Sequence, residues 1–482
     1  MVRFTGADAR STSMTLNETS QPVELLVSVS RQAPGTLGAQ IEDQLRRAIR
    51  DGGLRPGGQL PSTRDLARQL GISRRIAVDA YAQLAAEGYL RLRQGARPRV
   101  SDAGAVAPGP VAGAARQQPP PRFDFRPSVP DVSAFPRPAW QRCLRDAVTS
   151  ISDHDLGYGD PRGVGALRAA LADYLGRVRG AVADPDLVVV TSGYSQALGL
   201  VCRVLAARGA RRIALEDPCN PEQGLIAARA GLEPIPVPVD GGGLRVDALA
   251  RSAADAVVVT PAHQHPCGVV LSPERRTALV AWLRERDAVA IEDDYDAEFR
   301  YDRAAVGALQ GLDPDRVVYA GSASKTLAPA LRLGWLVLPP ALLDGVVEEK
   351  VLADQGSARI EQLAFAGFLA RGELDRHLRR MRGRYRARRD ALVDALAAEL
   401  PDAAVDGIAA GLHLTVRLPA GDDAEAIRAE ARRRRIEFNT MRDYRDGAVP
   451  PTLMLGYAQL SEPAIRAGVR ELAGAVRAVR DS

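Results

Sequence analysis

Six short apolar runs recur between residues 187 and 338, and helical stretches separate most of them. Each run ends in polar residues, proline or glycine, as a strand that reaches a sheet edge does. Nearly continuous apolar strands that alternate with helices favour a mostly parallel sheet buried on both faces. The runs are Leu187–Gly193, Arg212–Glu216, Ala256–Pro261, Ala288–Asp294, Val317–Gly321 and Leu333–Leu338. This region is therefore expected to be an α/β domain.

Sheets of this class bind ligands beyond the carboxyl ends of their strands. Polar residues stand at several of these ends, namely Ser192, Asp217, Asp293 and Ser322. The sequence therefore predicts a ligand site along this edge of the sheet.

The composition of the chain argues against a membrane protein, a secreted protein and a metal-binding protein. The chain has 482 residues, of which 46% are hydrophobic, so more than one unit with a large core is expected. No apolar run is long enough to span a bilayer, and the polar beginning has no apolar core of a secretory signal, so a cytoplasmic location is expected. The four cysteines form no C-x-x-C pair, so no metal site is expected.

The excess positive charge is concentrated near the beginning of the chain. Residues 33–102 contain 12 arginines and 7 acidic residues, which accounts for the whole formal net charge of +5. Such a concentration indicates a nucleic-acid-binding unit. We divide the chain into a polar tail (1–32), this unit (33–102), a Pro/Ala/Gly-rich linker (103–124) and the larger domain (125–482).

Within the basic unit the spacing predicts a helix-turn-helix with a wing. Ser62 begins a capping-box-like start, Gly71 ends that helix, and Ser73 can cap the next one. Short strands on either side of residues 94–96 then form a hairpin. The end of the second helix presents Ser73, Arg74 and Arg75, where such helices meet bases and phosphates. The alternative is a helical protein-interaction domain whose arginines are only solvated.

Lysine is almost absent, with 2 lysines against 62 arginines. Arginine cannot form a Schiff base, so the survivor Lys325 is a candidate to hold the aldehyde of pyridoxal phosphate (PLP). Asp293 could face the pyridine nitrogen and Tyr295 the ring hydroxyl. A phosphate cup could form from a helix N-terminus, hydroxyls and a guanidinium, offered by Gly193, Tyr194, Ser195, Ser322, Ser324 and Arg332. The alternatives are a lysine that escaped a compositional bias, a solvated acidic loop and a surface ion pair.

Two motif sets carry resemblances to a known family. Leu60-Pro-Ser-Thr-Arg-Asp-Leu-Ala, Leu70-Gly-Ile-Ser-Arg-Arg and the segment Ala80–Tyr89 resemble the winged helix-turn-helix of GntR-type transcriptional regulators. The resemblance implies that Arg64, Ser73 and Arg74 contact operator DNA. The wing departs from the family pattern, although two of its arginines could still reach phosphate or a minor groove.

The remainder resembles the MocR subfamily of GntR regulators, which fuses this head to a fold-type-I aminotransferase-like domain with a smaller C-terminal α+β subdomain. The motifs are Tyr158-Gly-Asp-Pro-Arg-Gly, Glu216-Asp-Pro, Thr260-Pro-Ala-His-Gln, Glu292-Asp-Asp-Tyr-Asp-Ala-Glu-Phe, the Lys325 segment and Leu455-Gly-Tyr-Ala. The resemblance implies PLP on Lys325, Asp293 at the pyridine nitrogen (with Glu292 as the weaker candidate) and Tyr295 at the ring hydroxyl. It also implies phosphate contacts from the residues named above. In a head-to-tail homodimer, Tyr158 would reach the partner subunit's phosphate.

Two departures bear on function. A tyrosine that stacks on PLP in the family is replaced by Cys219-Asn220, and strand 452–456 lacks the arginine that grips a substrate carboxylate. Arg442 or Arg445 could substitute, whereas His263 and His265 are expected to be structural. We expect a PLP-dependent regulator that senses PLP or an amino compound. The alternatives are an active aminotransferase with a DNA-binding appendage and a regulator whose PLP site has decayed.

Overall fold

The computed structural model describes residues 27–102, 120–153, 155–301, 306–445 and 447–482. Contacts divide the chain into two units, Met1–Gln118 and Pro119–Ser482. Most of the expected tail and of the expected linker lies outside the described residues. Among the helices of the described part, none combines the length and apolar character that crossing a membrane requires.

The first unit is a three-helix head with a two-stranded wing. Its elements are α1 (Leu37–Arg50), α2 (Thr63–Leu70), α3 (Arg74–Ala86), β1 (Leu90–Arg91) and β2 (Arg99–Val100). Ser62 Oγ accepts the amide of Asp65 at 3.2 Å, and α2 ends at Gly71 in the left-handed conformation. The helix-turn-helix and its wing are therefore confirmed. Ser73 is the N-cap residue of α3, but its hydroxyl makes no capping hydrogen bond, contrary to expectation.

The head begins earlier than expected. The amide of Ser28 donates to Gln44 Oε1 at 3.1 Å, and Ser30 is paired with Gln40 in the same way. Val27 and Val29 pack against the core of the head. Residues 27–32 therefore belong to the folded unit and not to a polar tail.

The second unit is built on an eight-stranded sheet. Its strands are β4 (Val188–Thr191), β5 (Arg212–Asp217), β6 (Glu233–Asp240), β7 (Gly243–Leu244), β8 (Ala256–Val259), β9 (Val289–Asp294), β10 (Val317–Ser322) and β11 (Gly334–Val337). They lie in the order β4-β11-β10-β9-β8-β5-β6-β7. Strands β5, β6, β8, β9 and β10 pair in parallel, whereas β11 runs antiparallel to both of its neighbours. The predicted mostly parallel sheet is thus confirmed.

Helices cover both faces of this sheet, and buried clusters lie on each side of it. The helices of this unit up to residue 370 are α4 (Arg137–Ser150), α5 (Gly165–Arg179), α6 (Tyr194–Ala207), α7 (Pro221–Arg229), α8 (Val246–Arg251), α9 (Pro273–Arg286), α10 (Ala323–Thr326), α11 (Pro340–Asp354) and α12 (Arg359–Ala370).

The predicted smaller C-terminal α+β subdomain is also confirmed. It contains α13 (Glu373–Glu399), β12 (Ala404–Asp406), β13 (His413–Arg417), α14 (Ala424–Arg433), β14 (Ile436–Glu437), β15 (Asn439–Thr440), β16 (Thr452–Gly456) and α15 (Glu462–Arg480). Strand β3 (Phe123–Asp124) pairs in parallel with β14, and Phe123 is buried. The second unit therefore begins before Phe125, inside the stretch assigned to the linker.

Candidate functional site

A cavity of about 270 Å³ lies beyond the carboxyl ends of the central strands. Its lining residues come from segments that are far apart in the chain, as the strand-end argument predicts. They are Ser128, Tyr194, Ser195, Glu216, Cys219, Asn220, Glu222, Gln223, Thr260, His265, Asp293, Tyr295, Ser322, Ser324, Lys325, Pro329 and Arg332.

Lys325 stands in the short helix α10, directly after β10, and lines this cavity. Burial lowers the pKa of its ammonium group, and the negative charge of Asp293 partly opposes that effect. A lowered pKa increases the fraction of free amine, which is the form that attacks an aldehyde.

The second lysine has a different environment. Lys350 is fully buried in α11, where its Nζ donates to both carboxylate oxygens of Asp354 at 2.7 Å and to Ser357 Oγ at 2.9 Å. It does not line the cavity. Its donors are used in a structural ion pair, so Lys325 is the amine that a ligand in the cavity meets.

Three consecutive carboxylates end β9, and the alternation of a strand separates their roles. Asp293 lines the cavity, where burial, reinforced by Asp294, raises its pKa well above the ordinary value. Glu292 is buried away from the cavity and accepts the amides of Leu309 at 2.8 Å and Gln310 at 2.9 Å. Glu292 is thereby committed to the backbone, so Asp293 is the carboxylate available to a ligand.

Asp294 is also committed to the interior. Its Oδ2 accepts Arg179 Nε and the hydroxyl of Tyr319, each at 2.6 Å. The buried ion pair of Asp294 and Arg179 anchors the end of β9 from the side opposite the cavity.

Tyr295 lines the cavity beside two histidines. Its hydroxyl lies 3.1 Å from His263 Nδ1, which also lies 3.0 Å from Asp296 Oδ2. Burial raises the pKa of Tyr295 well above its usual value, so the phenol stays protonated and can donate. His263, which is expected to be structural, is buried and does not line the cavity.

His265 differs from that expectation because it lines the cavity. Its Nδ1 is buried and has no hydrogen-bond partner among the described residues. Burial lowers the pKa of His265 well below its ordinary value, which keeps the imidazole neutral. A neutral ring of this kind can offer either a donor or an acceptor to a ligand.

Several residues predicted to bind a phosphate lie at or near the start of α6. Gly193 is its N-cap with φ 104°, and no side chain caps the first-turn amides. A Cβ on Gly193 would lie 3.1 Å from Arg332 Nη2, which donates to the carbonyl oxygen of Ser192 at 2.5 Å. Ser322 Oγ and Ser324 Oγ lie 2.8 Å apart where β10 ends and α10 begins. Together with the first turn of α6 and Arg332 they line the same cavity, so amides, hydroxyls and one guanidinium are available there to an anion.

The remaining predicted residues are distributed as follows. Tyr158 is 80% exposed and does not line the cavity of its own chain. Arg445 Nε lies 3.2 Å from Asp217 Oδ2, and exposed Arg442 borders a separate surface pocket. Neither arginine lines the cavity. Asn220 does, and its Oδ1 caps α7 by accepting the amide of Glu222 at 3.1 Å.

The sequence interpretation gave no role to several lining residues. Glu216 is the last residue but one of β5 and Thr260 directly follows β8, so the strand-end rule could have found both. Glu222 and Gln223 lie in the first turn of α7, which follows the Glu216-Asp-Pro motif. Ser128 has no signal in the sequence, because the tertiary fold alone brings it to the cavity.

The predicted DNA-contacting residues lie at the starts of α2 and α3, where they face solvent. Arg64, Ser73, Arg74 and Arg75 are all exposed. Arg75 Nε lies 3.8 Å from Asp79 Oδ2, whereas Arg64 and Arg74 form no ion pair within the described part of the chain. In the wing, Arg99 donates to the carbonyl oxygen of Gly57 at 2.9 Å and Arg91 pairs with Asp102. Arg93 and Arg97, by contrast, form no side-chain hydrogen bond or ion pair among the described residues.

Two families match the chain. Residues 37–100 match the gntR family of bacterial regulatory proteins, and residues 133–436 match the class I and II aminotransferases. A solved α-aminoadipate aminotransferase from Thermus thermophilus, complexed with N-(5'-phosphopyridoxyl)-L-leucine, superposes with a TM-score of 0.67 at 26% identity. That match covers 74% of this chain and 93% of the enzyme. Fold and matches together define a DNA-binding transcriptional regulator with an aminotransferase-like domain.

Full-length relatives are regulators of this kind. The chain is 36% identical to the HTH-type pyridoxine biosynthesis transcriptional regulator PdxR of Corynebacterium glutamicum, over 81% of this chain and 85% of that protein. It is 32% identical to the probable rhizopine catabolism regulatory protein MocR of Rhizobium meliloti, over 95% of this chain and 97% of that protein. The chain belongs to the MocR subfamily of GntR-type transcriptional regulators.

Proposed function

We propose that this regulator binds PLP in the cavity at Lys325 and that PLP, or an amino compound that meets it there, controls its binding to operator DNA. The observation that carries the proposal is the arrangement around Lys325. A half-buried amine with a lowered pKa shares one cavity with a half-buried carboxyl and with the hydroxyls, amides and guanidinium that could bind an anion. These residues come from segments that are far apart in the sequence, so chance is a poor explanation for their meeting in one cavity.

The donor set fits PLP part by part. Arg332, Ser322, Ser324 and the first turn of α6, with Tyr194 and Ser195, would hold the phosphate. The protonated phenol of Tyr295 would donate to the ring hydroxyl. Burial and the charge of Asp294 raise the pKa of Asp293, and the nearby cation Lys325 offsets this rise only in part. A pyridinium against Asp293 would supply a second cation and return the carboxylate to its charged form. When bound, PLP supplies an aldehyde for amines and an electron-withdrawing ring.

The head supports the DNA side of the proposal. Arg64, Ser73, Arg74 and Arg75 stand exposed at the N-terminal ends of α2 and α3, where a helix-turn-helix meets DNA. We propose that they contact operator DNA, which would place the protein in the cytoplasm. A palindromic operator would match a homodimer. In a head-to-tail dimer, exposed Tyr158 would contact the phosphate in the partner subunit's cavity.

The rival function is a working aminotransferase. An aminotransferase must fix the substrate carboxylate so that the bond to be broken is correctly oriented, and a bidentate arginine does this well. Strand β16 offers no arginine, Arg445 is paired with Asp217, and Arg442 lies outside the cavity. We therefore propose a sensor with little or no steady transamination.

The test uses the two lysines as a matched pair. The purified protein should show the visible absorption of lysine-bound PLP, and Lys325→Ala should abolish that band. Lys350→Arg, which keeps a cation beside Asp354, should retain it. A band that survives Lys325→Ala, or one that depends on Lys350, would overturn the cofactor assignment.

A further inference from the structure

The charged residues of the cavity outnumber the parts of PLP that need them. Five lining residues carry formal charge, and His265 is neutral because burial lowers its pKa. Lys325 is assigned to the aldehyde, Arg332 to the phosphate and Asp293 to the pyridine nitrogen. Two carboxylates, Glu216 and Glu222, remain without a role.

Glu216 is built into the cavity wall with one oxygen left over. It is 5% exposed, and its Oε2 accepts the Thr260 hydroxyl, the Thr260 amide at 3.2 Å and Gln264 Nε2 at 3.3 Å. All three bonds go to the same oxygen, so Oε1 is the atom that can accept from a ligand. Burial raises the pKa of this carboxyl to about 7, and no basic side chain is bonded to it among the described residues.

Glu222 supplies the second carboxylate from the first turn of α7. The Asn220 side chain caps that helix by accepting the Glu222 amide, so it is not available to a ligand. The N-terminus of the helix favours the negative charge of the Glu222 side chain. Glu222 lies near enough to Lys325 to favour its ammonium form. A ligand that extends from Lys325 towards the open side therefore meets negative charge.

Positive charge is missing where an amino acid would need it. Arg332 is the only guanidinium that lines the cavity in the described part of the chain, and it belongs to the phosphate cup. Arg445 is held by Asp217, and the neutral His265 adds no charge. A ligand carboxylate would face Glu216 and Glu222 without a counter-ion, which costs free energy in a partly desolvated site.

We propose that the effector of this regulator is a primary amine with a second amino group and no carboxylate, and that Glu216 and Glu222 bind the second ammonium. This assignment rests on the proposed PLP site and specifies the ligand class that the site accepts. The neutral His265 Nδ1 offers a further acceptor on the same wall.

Isothermal titration of the PLP-loaded full-length protein, at pH 8, tests the ligand class directly. The probes are α,ω-diamines of three to five carbons, 4-aminobutanoate (a carboxylate in place of the second amine) and butylamine (one amine only). A charge-assisted hydrogen bond contributes about 1.5–3 kcal/mol, so the best diamine should bind roughly 10- to 100-fold more tightly than either control. Operator affinity, followed by gel shift, should change with the diamine alone.

A matched pair of variants separates the site from general electrostatics. Glu222→Gln and Glu274→Gln both remove an exposed first-turn glutamate that follows a helix-starting proline, but Glu274 in α9 lies outside the cavity. Glu222→Gln should reduce diamine affinity about tenfold, whereas Glu274→Gln should leave it unchanged. Glu222→Arg should shift the preference towards 4-aminobutanoate.

Equal or tighter binding of 4-aminobutanoate by the unmodified chain would overturn the proposal, as would failure of every diamine to bind a chain that shows the PLP band. Loss of the band itself would instead contradict the proposed cofactor, so the two failures are distinguishable.

Discussion

Helix α3, the proposed reader of DNA, and the cavity at Lys325, the proposed PLP site, both contain charged side chains, but the surroundings of these side chains are opposite. Arg75 and Asp79 on α3 form a pair at 3.8 Å whose side chains are 90% and 70% exposed. In the cavity, burial lowers the pKa of Lys325 and raises those of Asp293 and Glu216. Water screens the first set, whereas the second set interacts in a medium of low dielectric constant.

This contrast determines how each region responds to change. Removal of an exposed arginine deletes one contact and leaves its neighbours solvated, so the effect should be modest and salt-dependent. Removal of a buried charge leaves its partner without compensation, so the effect should be large and should depend on pH. Three substitutions, taken from the largest expected effect to the smallest, test this difference.

Asp293→Asn should weaken PLP binding about 10²–10³-fold, because breaking one buried charge pair costs about 3–5 kcal/mol. The measurement is a visible-absorption titration of cofactor-depleted protein with PLP. The adjacent Glu292→Gln is the control, since Glu292 accepts two backbone amides outside the cavity. It should lower the melting temperature and leave PLP affinity unchanged. The reverse pattern would show that Glu292, not Asp293, meets the pyridine nitrogen.

Glu216→Gln should stabilise the fold above neutral pH. The folded pKa is about 7 against an ordinary 4.5, so the folded chain holds a proton that the unfolded chain releases between these values. Stability is therefore lost as pH rises through this window, by an amount on the order of 3 kcal/mol at full ionisation.

Glutamine keeps the hydrogen bonds without the charge. Calorimetry should therefore show a higher melting temperature for Glu216→Gln at pH 8, and nearly equal melting temperatures near pH 4.5. An equal difference at both pH values would exclude an ionised, destabilising Glu216. A carboxylate retained at such a cost is what a ligand-binding role predicts.

The sequence predicted the parts of the molecule that depend on local patterns. The helix-turn-helix follows from Ser62, Gly71 and the spacing between them, and the parallel sheet follows from apolar runs. Strand β6 was missed because Pro234, Pro236 and Pro238 argue against a strand. In the structure β6 pairs with β5 from Glu233 to Pro238, while β7 pairs only with the end of β6 from Val239. Alternate prolines are tolerated because their missing N–H groups can face the open edge.

The cavity was predictable only where residues follow strands or stand in motifs. Lys325, Asp293 and Arg332 were found in this way, and Glu216 could have been, because it is the last residue but one of β5. Ser128 and the unpartnered nitrogen of His265 depend on contacts between distant segments, which no pattern in the chain encodes. The start of the second unit was also misjudged, because pairing of Phe123 with Ile436 joins residues more than 300 positions apart.

The smallest expected effect belongs to α3. Arg74→Ala should weaken operator binding by about 1–3 kcal/mol if Arg74 reads a base. If it contacts phosphate, binding should fall on all sequences, and the slope of log affinity against log salt should decrease by about one. Arg68→Ala is the matched control, since Arg68 is exposed on α2 but pairs with Asp65 at 3.5 Å and is not among the residues proposed to contact DNA. Gel-shift titrations at several salt concentrations measure both quantities, and the PLP band should not change in either variant.

Because the charge is screened, the loss should shrink as salt rises. A loss that persists at high salt would show that Arg74 acts in a desolvated contact, and unchanged binding at low salt would exclude this end of α3 as the DNA reader.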